Sequence, residues 1–435
     1  MEYKKVLQEA TEVYKTLPIE KINLDLKMEE KDSQIVVTIP NYFNLNDCKD
    51  WPSISKNLSL ESKNCLYVHI PFCTGICTYC SYVRKKENNS KKYDEYLDAL
   101  EKESKLQIGI FGFKPKVQSV YIGGGTPSIL NITQLQRLYN IIHFNYNIPK
   151  NVEFTLEGCP ETIDVEKINV SQKNGVNRIS IGVESFNDDI LTYVNRRHKR
   201  KDTLQKIRSI KESNISNLDI DLINNLPMST LETSYNDAIT AVETGLPSIT
   251  LYHFHTKPNS IARKKDNEPI ENEQVLKHII YDLVLKQNGY WQDNYDKYLK
   301  DNFVFQQQIQ KWRDQYNMLT LGVGCYGFIN NTQFFMNKNL TQYYKNIKDN
   351  TIPLIKAKTL SEEKNLLRNF IMGLKISDQK FNINKLDKKN KILEASKELE
   401  KYGLIIVSDS IKITKKGKFF VDYIQRHFYK NLWIF

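Results

Sequence analysis

An α/β architecture built on a parallel sheet is the fold class the sequence predicts, and three observations predict it. Six short β-branched runs alternate with amphipathic helical stretches between residues 66 and 254. The intervening stretches are long enough for crossover helices, which parallel pairing requires. Three cysteines crowd into residues 73–80, directly after the first run. In such sheets chemistry belongs at the C-terminal ends of the strands. The rhythm suits an open, partial barrel or a doubly wound sheet.

The elements follow in order. Residues 1–62 read as an N-terminal extension: a helical pattern, then two alternating stretches, Lys21–Lys27 and Ile35–Ile39, spaced as a hairpin. Trp51-Pro52 and the Ser/Asn-rich Ser53–Asn64 read as a linker. The core, 63–260, carries the strand runs Leu66–Ile70, Val117–Ile122, Val152–Leu156, Arg178–Val183, Leu218–Ile223 and Ile249–Phe254. Between them lie the helical patterns Tyr93–Ile110, Thr133–Phe144, Val165–Lys173, Thr203–Ser213 and Leu231–Thr244. Glycines 175 and 245 punctuate helix ends. Residues 261–350 read as a region that extends the barrel toward substrate, with a helix at Glu271–Gln287 and a glycine-rich strand-turn at Leu319–Phe328. In 351–435, Ser361-Glu362-Glu363 caps a helix, and the pair Leu404–Val407 and Ile411–Ile413 forms a β-wing. Helices followed by a wing make a small α+β, winged-helix-like domain.

Composition narrows the class. The 435 residues are 40% hydrophobic and 11% aromatic, enough for a large core and too much for wholesale disorder. No apolar run is long enough to span a membrane, and the N-terminus lacks a secretory h-region. Seven cysteines, unevenly placed, do not make a disulfide scaffold and suit a reducing, cytoplasmic compartment. The formal charge of +11 favours anionic partners, although the basic residues are mostly scattered. Neither a membrane nor a nucleic-acid partner is expected.

The most informative stretch is His69-Ile70-Pro71-Phe72-Cys73-Thr74-Gly75-Ile76-Cys77-Thr78-Tyr79-Cys80. Three thiolates in a CxxxCxxC loop can take three corners of a 4Fe–4S cube, leaving one iron open to a small molecule. Zinc would need a fourth close ligand, for which His69 is the only local candidate. With the preceding Leu66-Tyr67-Val68, the stretch resembles the radical S-adenosylmethionine superfamily. The resemblance is to the branch of oxygen-independent coproporphyrinogen III oxidases, haem chaperones and class C radical methyltransferases.

That resemblance implies a partial parallel (β/α)6 barrel of radical S-adenosylmethionine type, a cluster on Cys73, Cys77 and Cys80, and S-adenosylmethionine at the open iron. Further motifs extend it: Gly123-Gly124-Gly125-Thr126-Pro127, Glu157 at a strand end, Asn177–Phe186, Asn195-Arg196 and Asp221. By the resemblance, Tyr67, Gly124 and Glu157 serve the first S-adenosylmethionine. Tyr79, Gly125, Thr126, Glu184, Arg196 and Asp221 match positions that serve a second one in the oxidase. Glu184 and Tyr67 are expected to act in catalysis, and His255 and Tyr326 to border the cofactors. An electron donor such as flavodoxin or ferredoxin is implied as a partner.

Departures matter as well. Ser81-Tyr82 follows Cys80 where the oxidase continues CxC, Glu184 stands where relatives commonly have Gln, and His255 replaces a small residue. These departures weigh against the oxidase, and the retained second-site positions together with the missing cysteine favour methyl or methylene transfer to an sp² carbon of a tetrapyrrole or specialised metabolite. Coproporphyrinogen III oxidation and haem carriage are the alternatives. His253 and His255 alternate on one strand, which suits either a site facing the barrel or a polar core position. For Cys325 an inert buried thiol is the favoured reading.

Overall fold

A computed structural model describes residues 2–22, 39–40, 42–213, 215, 217–255, 260–264, 271–300, 304–376, 381–382 and 389–433. The hairpin expected around Lys21–Lys27 and Ile35–Ile39 lies almost wholly outside them. No described helix is long and apolar enough to cross a membrane.

The six expected strands are present: β1 Asn64–Ile70, β2 Val117–Gly124, β3 Glu153–Gly158, β4 Arg178–Glu184, β5 Asn217–Asn224 and β6 Ser248–His253. They pair parallel in chain order, because each return passes through a helix on the outer face. A seventh strand, β7 Asn317–Leu321, pairs parallel to β1 on its other side. The sequence pattern shows this stretch only as part of a strand-turn. Antiparallel strands then extend both edges: Lys297–Leu299 and Trp291–Asn294 beyond β6, and Tyr326–Ile329, Thr332–Met336, Leu354–Thr359 and Asn46–Asp47 beyond β7. The sheet is mostly parallel and does not close.

Alternation sorts the strands into two faces. Leu66, Val68 and Ile70 on β1, like Val120 and Ile122 on β2, are fully buried beneath the outer helices. Cys65, Tyr67 and His69 point inward. The interior is unusually polar. Arg178, Asp219 and Lys297 form a buried ion triad, with Lys297 2.6 Å from Asp219 and Arg178 in direct contact with it. The helix Gln306–Trp312 closes the N-terminal ends of the strands: Gln306 N donates to Glu153 (2.9 Å) and Gln310 to the carbonyl of Gln118 (3.4 Å).

The expected linker is structured. Asp50 caps a short helix, Trp51–Ser55, through Ser53 N (3.1 Å), and Trp51 is buried against Phe111 and Phe334. Its indole outweighs the polar run that follows it. At the C-terminus, helices Lys389–Lys401 and Val421–Leu432 pack with a three-stranded sheet built from Phe381–Asn382, Ile405–Val407 and Ser410–Ile413.

Candidate functional site

The cysteine loop leaves β1 at the C-terminal edge of the sheet. All three thiols are partly exposed and none is in a disulfide. The loop is braced from two sides. Gly125 N donates to Ile70 O (2.8 Å), Thr126 N to Phe72 O (2.8 Å), and the Thr126 hydroxyl lies 3.7 Å from Cys73 Sγ. A Cβ on Gly125 would come within 2.9 Å of the same sulfur, so only glycine fits. On the other side, Thr78 N donates to Val194 O (3.1 Å) and Asn195 Nδ2 to Ile76 O (2.6 Å). Arg196 Nη1 approaches Cys77 Sγ at 3.7 Å, and Arg197 packs against Gly75.

His69 is not a free ligand. Its Nε2 donates to the Val83 carbonyl (2.7 Å), so Nδ1 accepts from the Tyr67 hydroxyl (3.1 Å). Burial holds the imidazole neutral, its pKa lowered to about 4. Among the described residues no three His, Cys, Asp or Glu side chains converge on one metal-ion position. Zinc needs such convergence, whereas a cubane takes each thiolate on a different iron. The three cysteines, a glycine-lined wall and a nearby guanidinium therefore fit a 4Fe–4S cluster.

Beside the loop lies a cleft over the ends of the strands. Gly124 takes φ +121° and packs on the His69 ring, and its amide donates to Glu157 Oε2 (3.1 Å). The Tyr121 hydroxyl donates to Glu157 Oε1 (2.5 Å), and Tyr67 stacks on Tyr121 with centroids 6.1 Å apart. Burial raises the Glu157 carboxyl, which these two donors and Arg178 partly offset. Opposite, Asp221 accepts from Ser180 (3.2 Å) and sits near Asp219 and Glu157. Burial, and then the charge of Asp219, push Asp221 up to about 7. Tyr82 is 59% exposed and Tyr252 37%, yet burial by the surrounding protein raises both phenols, as befits residues on a concave wall.

Arg196 and Glu184 form the third wall. Glu184 takes φ +68°, a backbone conformation a non-glycine residue rarely holds. Its Oε1 accepts from Arg196 Nη2 at 2.8 Å, and the same nitrogen contacts the Gly182 carbonyl. Burial opposes the guanidinium charge, but Tyr79, Glu184 and Cys77 hold its pKa well above the ordinary value.

The structure thus brings Tyr67, Tyr79, Gly124, Gly125, Thr126, Glu157, Glu184, Arg196 and Asp221 around the cysteine loop. Tyr326 joins them from the β7 edge, its hydroxyl 3.4 Å from Lys311. His255 lies elsewhere. On β6 it is Tyr252 that faces the cleft, while His253 packs on His278 of the outer helix Glu271–Gln287 and His255 lies 3.5 Å from Asp422. Tyr82, Tyr121 and Tyr252 join the site without having been expected there from sequence. Only the facing register of Tyr67 and Tyr121 on β1 and β2 signals one of them. Cys325 is 1% exposed, and Cys65 is bonded to Gln310 with its thiol pushed up to about 12 by burial. Both are inert.

Comparison with known proteins gives the same picture. The Radical SAM superfamily model matches residues 67–238. Heme chaperone HemW of Buchnera aphidicola subsp. Schizaphis graminum is 31% identical over 378 residues, covering 83% of this chain and 97% of that protein. Oxygen-independent coproporphyrinogen III oxidase of Escherichia coli (strain K12) is 26% identical over 82% of this chain and 83% of its own. The solved coproporphyrinogen III oxidase (HemN) from Escherichia coli shares the fold, with a TM-score of 0.79 over 89% of this chain and 95% of that one, at 23% identity. These relatives lend no support to methyl transfer, the reaction expected first, and favour its two alternatives.

Proposed function

Since the chain belongs to the radical S-adenosylmethionine superfamily, in the branch of haem chaperones and coproporphyrinogen oxidases, we propose that it binds one S-adenosylmethionine at its cluster and handles a tetrapyrrole as a haem-chaperone-type protein. When bound and reduced, such a cluster supplies the electron that cleaves the sulfonium. The residues of this chain position and shield. Cys73, Cys77 and Cys80 would hold the cluster, and Glu157, kept in place by Tyr121 and Gly124, offers acceptors to ribose hydroxyls. The faces of Tyr67, Tyr82, Tyr121 and Tyr252 suit a flat macrocycle.

One observation carries the choice of a single S-adenosylmethionine: the Arg196 guanidinium is already paired with Glu184 through Nη2 and borders Cys77 through Nη1, which leaves its buried Nε as the one donor without a partner. A second molecule bound as in the oxidase would bring its carboxylate to that same guanidinium. Two carboxylates would then compete for one cation in a buried place, where like charges repel strongly. A glutamine at 184 would leave the guanidinium without a counter-charge. The formal charge of +11 suits the propionates of the macrocycle.

The test uses the full chain, reconstituted anaerobically. Equilibrium dialysis should give one S-adenosylmethionine per chain, haem should be retained stoichiometrically, and coproporphyrinogen III should be returned unchanged. Two bound molecules together with decarboxylated product would replace this reading with the oxidase one. The electron would come from a donor of flavodoxin or ferredoxin class.

A further inference from the structure

Two helices meet on the inner flank of the sheet beside β7: Gln306–Trp312, which closes the floor of the barrel, and Glu362–Gly373. Each brings a cation there. Lys311 Nζ donates to the Tyr326 hydroxyl (3.4 Å), and the Arg368 guanidinium stacks on Phe328, 3.8 Å from the ring centre. Tyr326 and Phe328 alternate on one face of the strand Tyr326–Ile329. Because Tyr326 also borders the cluster cleft, the two cations stand directly behind that wall.

Among the described residues neither cation has a counter-charge. Arg368 is 4% exposed, and its guanidinium donates only to neutral acceptors, the Ile39 carbonyl (3.1 Å) and Asn369 Oδ1 (3.2 Å). Burial lowers it to about 10, with no carboxylate to oppose the shift. At Lys311, burial and then the charge of Arg368 lower the ammonium to about 7. Lys375, the next cation along the chain, is by contrast held between Asp296 and Asp422. Buried cations are ordinarily paired, because an unpaired one forfeits its hydration without return.

The orphaned polar atoms beside the pair are donors as well. Asn369 turns its oxygen to Arg368, so its Nδ2 is left over, buried and without a partner. The indole N–H of Trp312 is equally buried and unpaired, and its ring centre lies 5.8 Å from Lys311 Nζ. Buried polar atoms are almost always satisfied by protein, water or ligand, and a carboxylate supplies the acceptors and the charge missing here. Lys311 and Tyr326 are both only half-buried, so the approach to the pair is from their side. We propose that Lys311 and Arg368 form an anion subsite at the deep end of the cluster cleft, which takes one propionate carboxylate of the tetrapyrrole. The identity of the ligand rests on the tetrapyrrole reading above; the unpaired charge of the subsite does not.

The test compares haem with its dimethyl ester, which keeps the ring and removes the carboxylates, on the reconstituted full chain. Lys311→Met, at a half-buried position, should fold normally, bind haem about tenfold more weakly and bind the ester as wild type does. Lys311→Arg, which keeps the charge, should recover most of the loss. Equal weakening for haem and ester, or none for either, would overturn the subsite. Sodium propionate tests it without a porphyrin. After reductive ¹³C-methylation of the lysines, the signal missing from Lys311→Met should titrate near pH 7 and move up by about one unit in propionate. No movement would overturn the subsite, and a larger movement in inorganic phosphate would overturn its assignment to a carboxylate. A propionate shift in a wild type that retains no haem would overturn the tetrapyrrole reading and leave the carboxylate subsite standing.

Discussion

Asp219 and Asp221 stand two residues apart on β5, yet their charge states differ because their neighbours do. Burial works against charge on both. At Asp219, Lys297 and Arg178 overcome it and keep the carboxyl low, whereas Asp221 has Ser180 and the charge of Asp219 for company and rises to about 7. The folded chain therefore retains a proton on Asp221 that an unfolded aspartate releases near pH 4. The stability this contributes is complete below about pH 4 and is lost as pH rises toward 7. Asp221→Asn should flatten that slope and, near pH 8, stabilise the protein by on the order of 1–3 kcal/mol in urea unfolding without S-adenosylmethionine. Parallel pH profiles for the variant and wild type would refute it. Gly124 offers a second test at this scale. Its φ is +121°, and a Cβ at this position would come within 2.7 Å of the His69 ring, so a side chain has no room. Gly124→Ala should cost about 1–3 kcal/mol and displace Glu157, lowering 5′-deoxyadenosine formation more than cluster content. Cluster loss equal to activity loss would instead mark a general folding defect.

At the scale of elements, the ion triad ties the interior of the sheet together. Arg178 comes from β4, Asp219 from β5 and Lys297 from the strand Lys297–Leu299 beyond β6, while Ser248 and Thr250 on β6 donate to the same carboxylate at 2.9 and 2.8 Å. Asp219→Asn leaves two buried cations facing an amide, and should cost about 3–5 kcal/mol in chemical denaturation. Replacing Arg178, Asp219 and Lys297 together by apolar residues of similar volume should cost far less, because no charge is then stranded. Equal losses in the single and triple variants would show that packing, not charge, sets the effect. β1 to β6 were legible in the sequence because each is a compact β-branched run bounded by a helical pattern. β7 was not: its five residues run into a glycine turn, and its partner β1 lies far away in the chain. The cysteine loop was legible because ligand spacing is local. The face of β6 was not, since alternation says which residues share a side but not which side meets the cleft.

For the whole molecule, one continuous apolar core runs from Val6 to Trp433, so the N- and C-terminal elements are packed onto the barrel rather than tethered to it. Among the described residues, Lys418 reaches Asp282 of the outer helix across the C-terminal seam (2.5 Å), and Lys375 bridges it as well. Lys375 follows the helix Glu362–Gly373 and spans Asp296, in the turn between Trp291–Asn294 and Lys297–Leu299, and Asp422, on the last helix. Burial works against both charges, but Lys375 and His255 hold Asp422 far below the usual carboxylate range, and the two aspartates raise Lys375. A depressed carboxyl contributes stability above its unfolded value, about pH 4, and loses it as pH falls further. At neutral pH the pairing is intact, so removing the lysine leaves two partly exposed carboxylates without their shared cation and should cost about 1–3 kcal/mol. Because Asp296 and Asp422 belong to different layers, that cost falls on the seam. Hydrogen exchange on Lys375→Met should therefore show lost protection in Val421–Leu432 and in the Ile405–Ile413 wing, with β1 to β5 protected as in wild type. Uniform loss across the sheet would mean that the seam and barrel unfold as one unit. Loss confined to the seam would show that the C-terminal domain can open while the cluster cleft keeps its form.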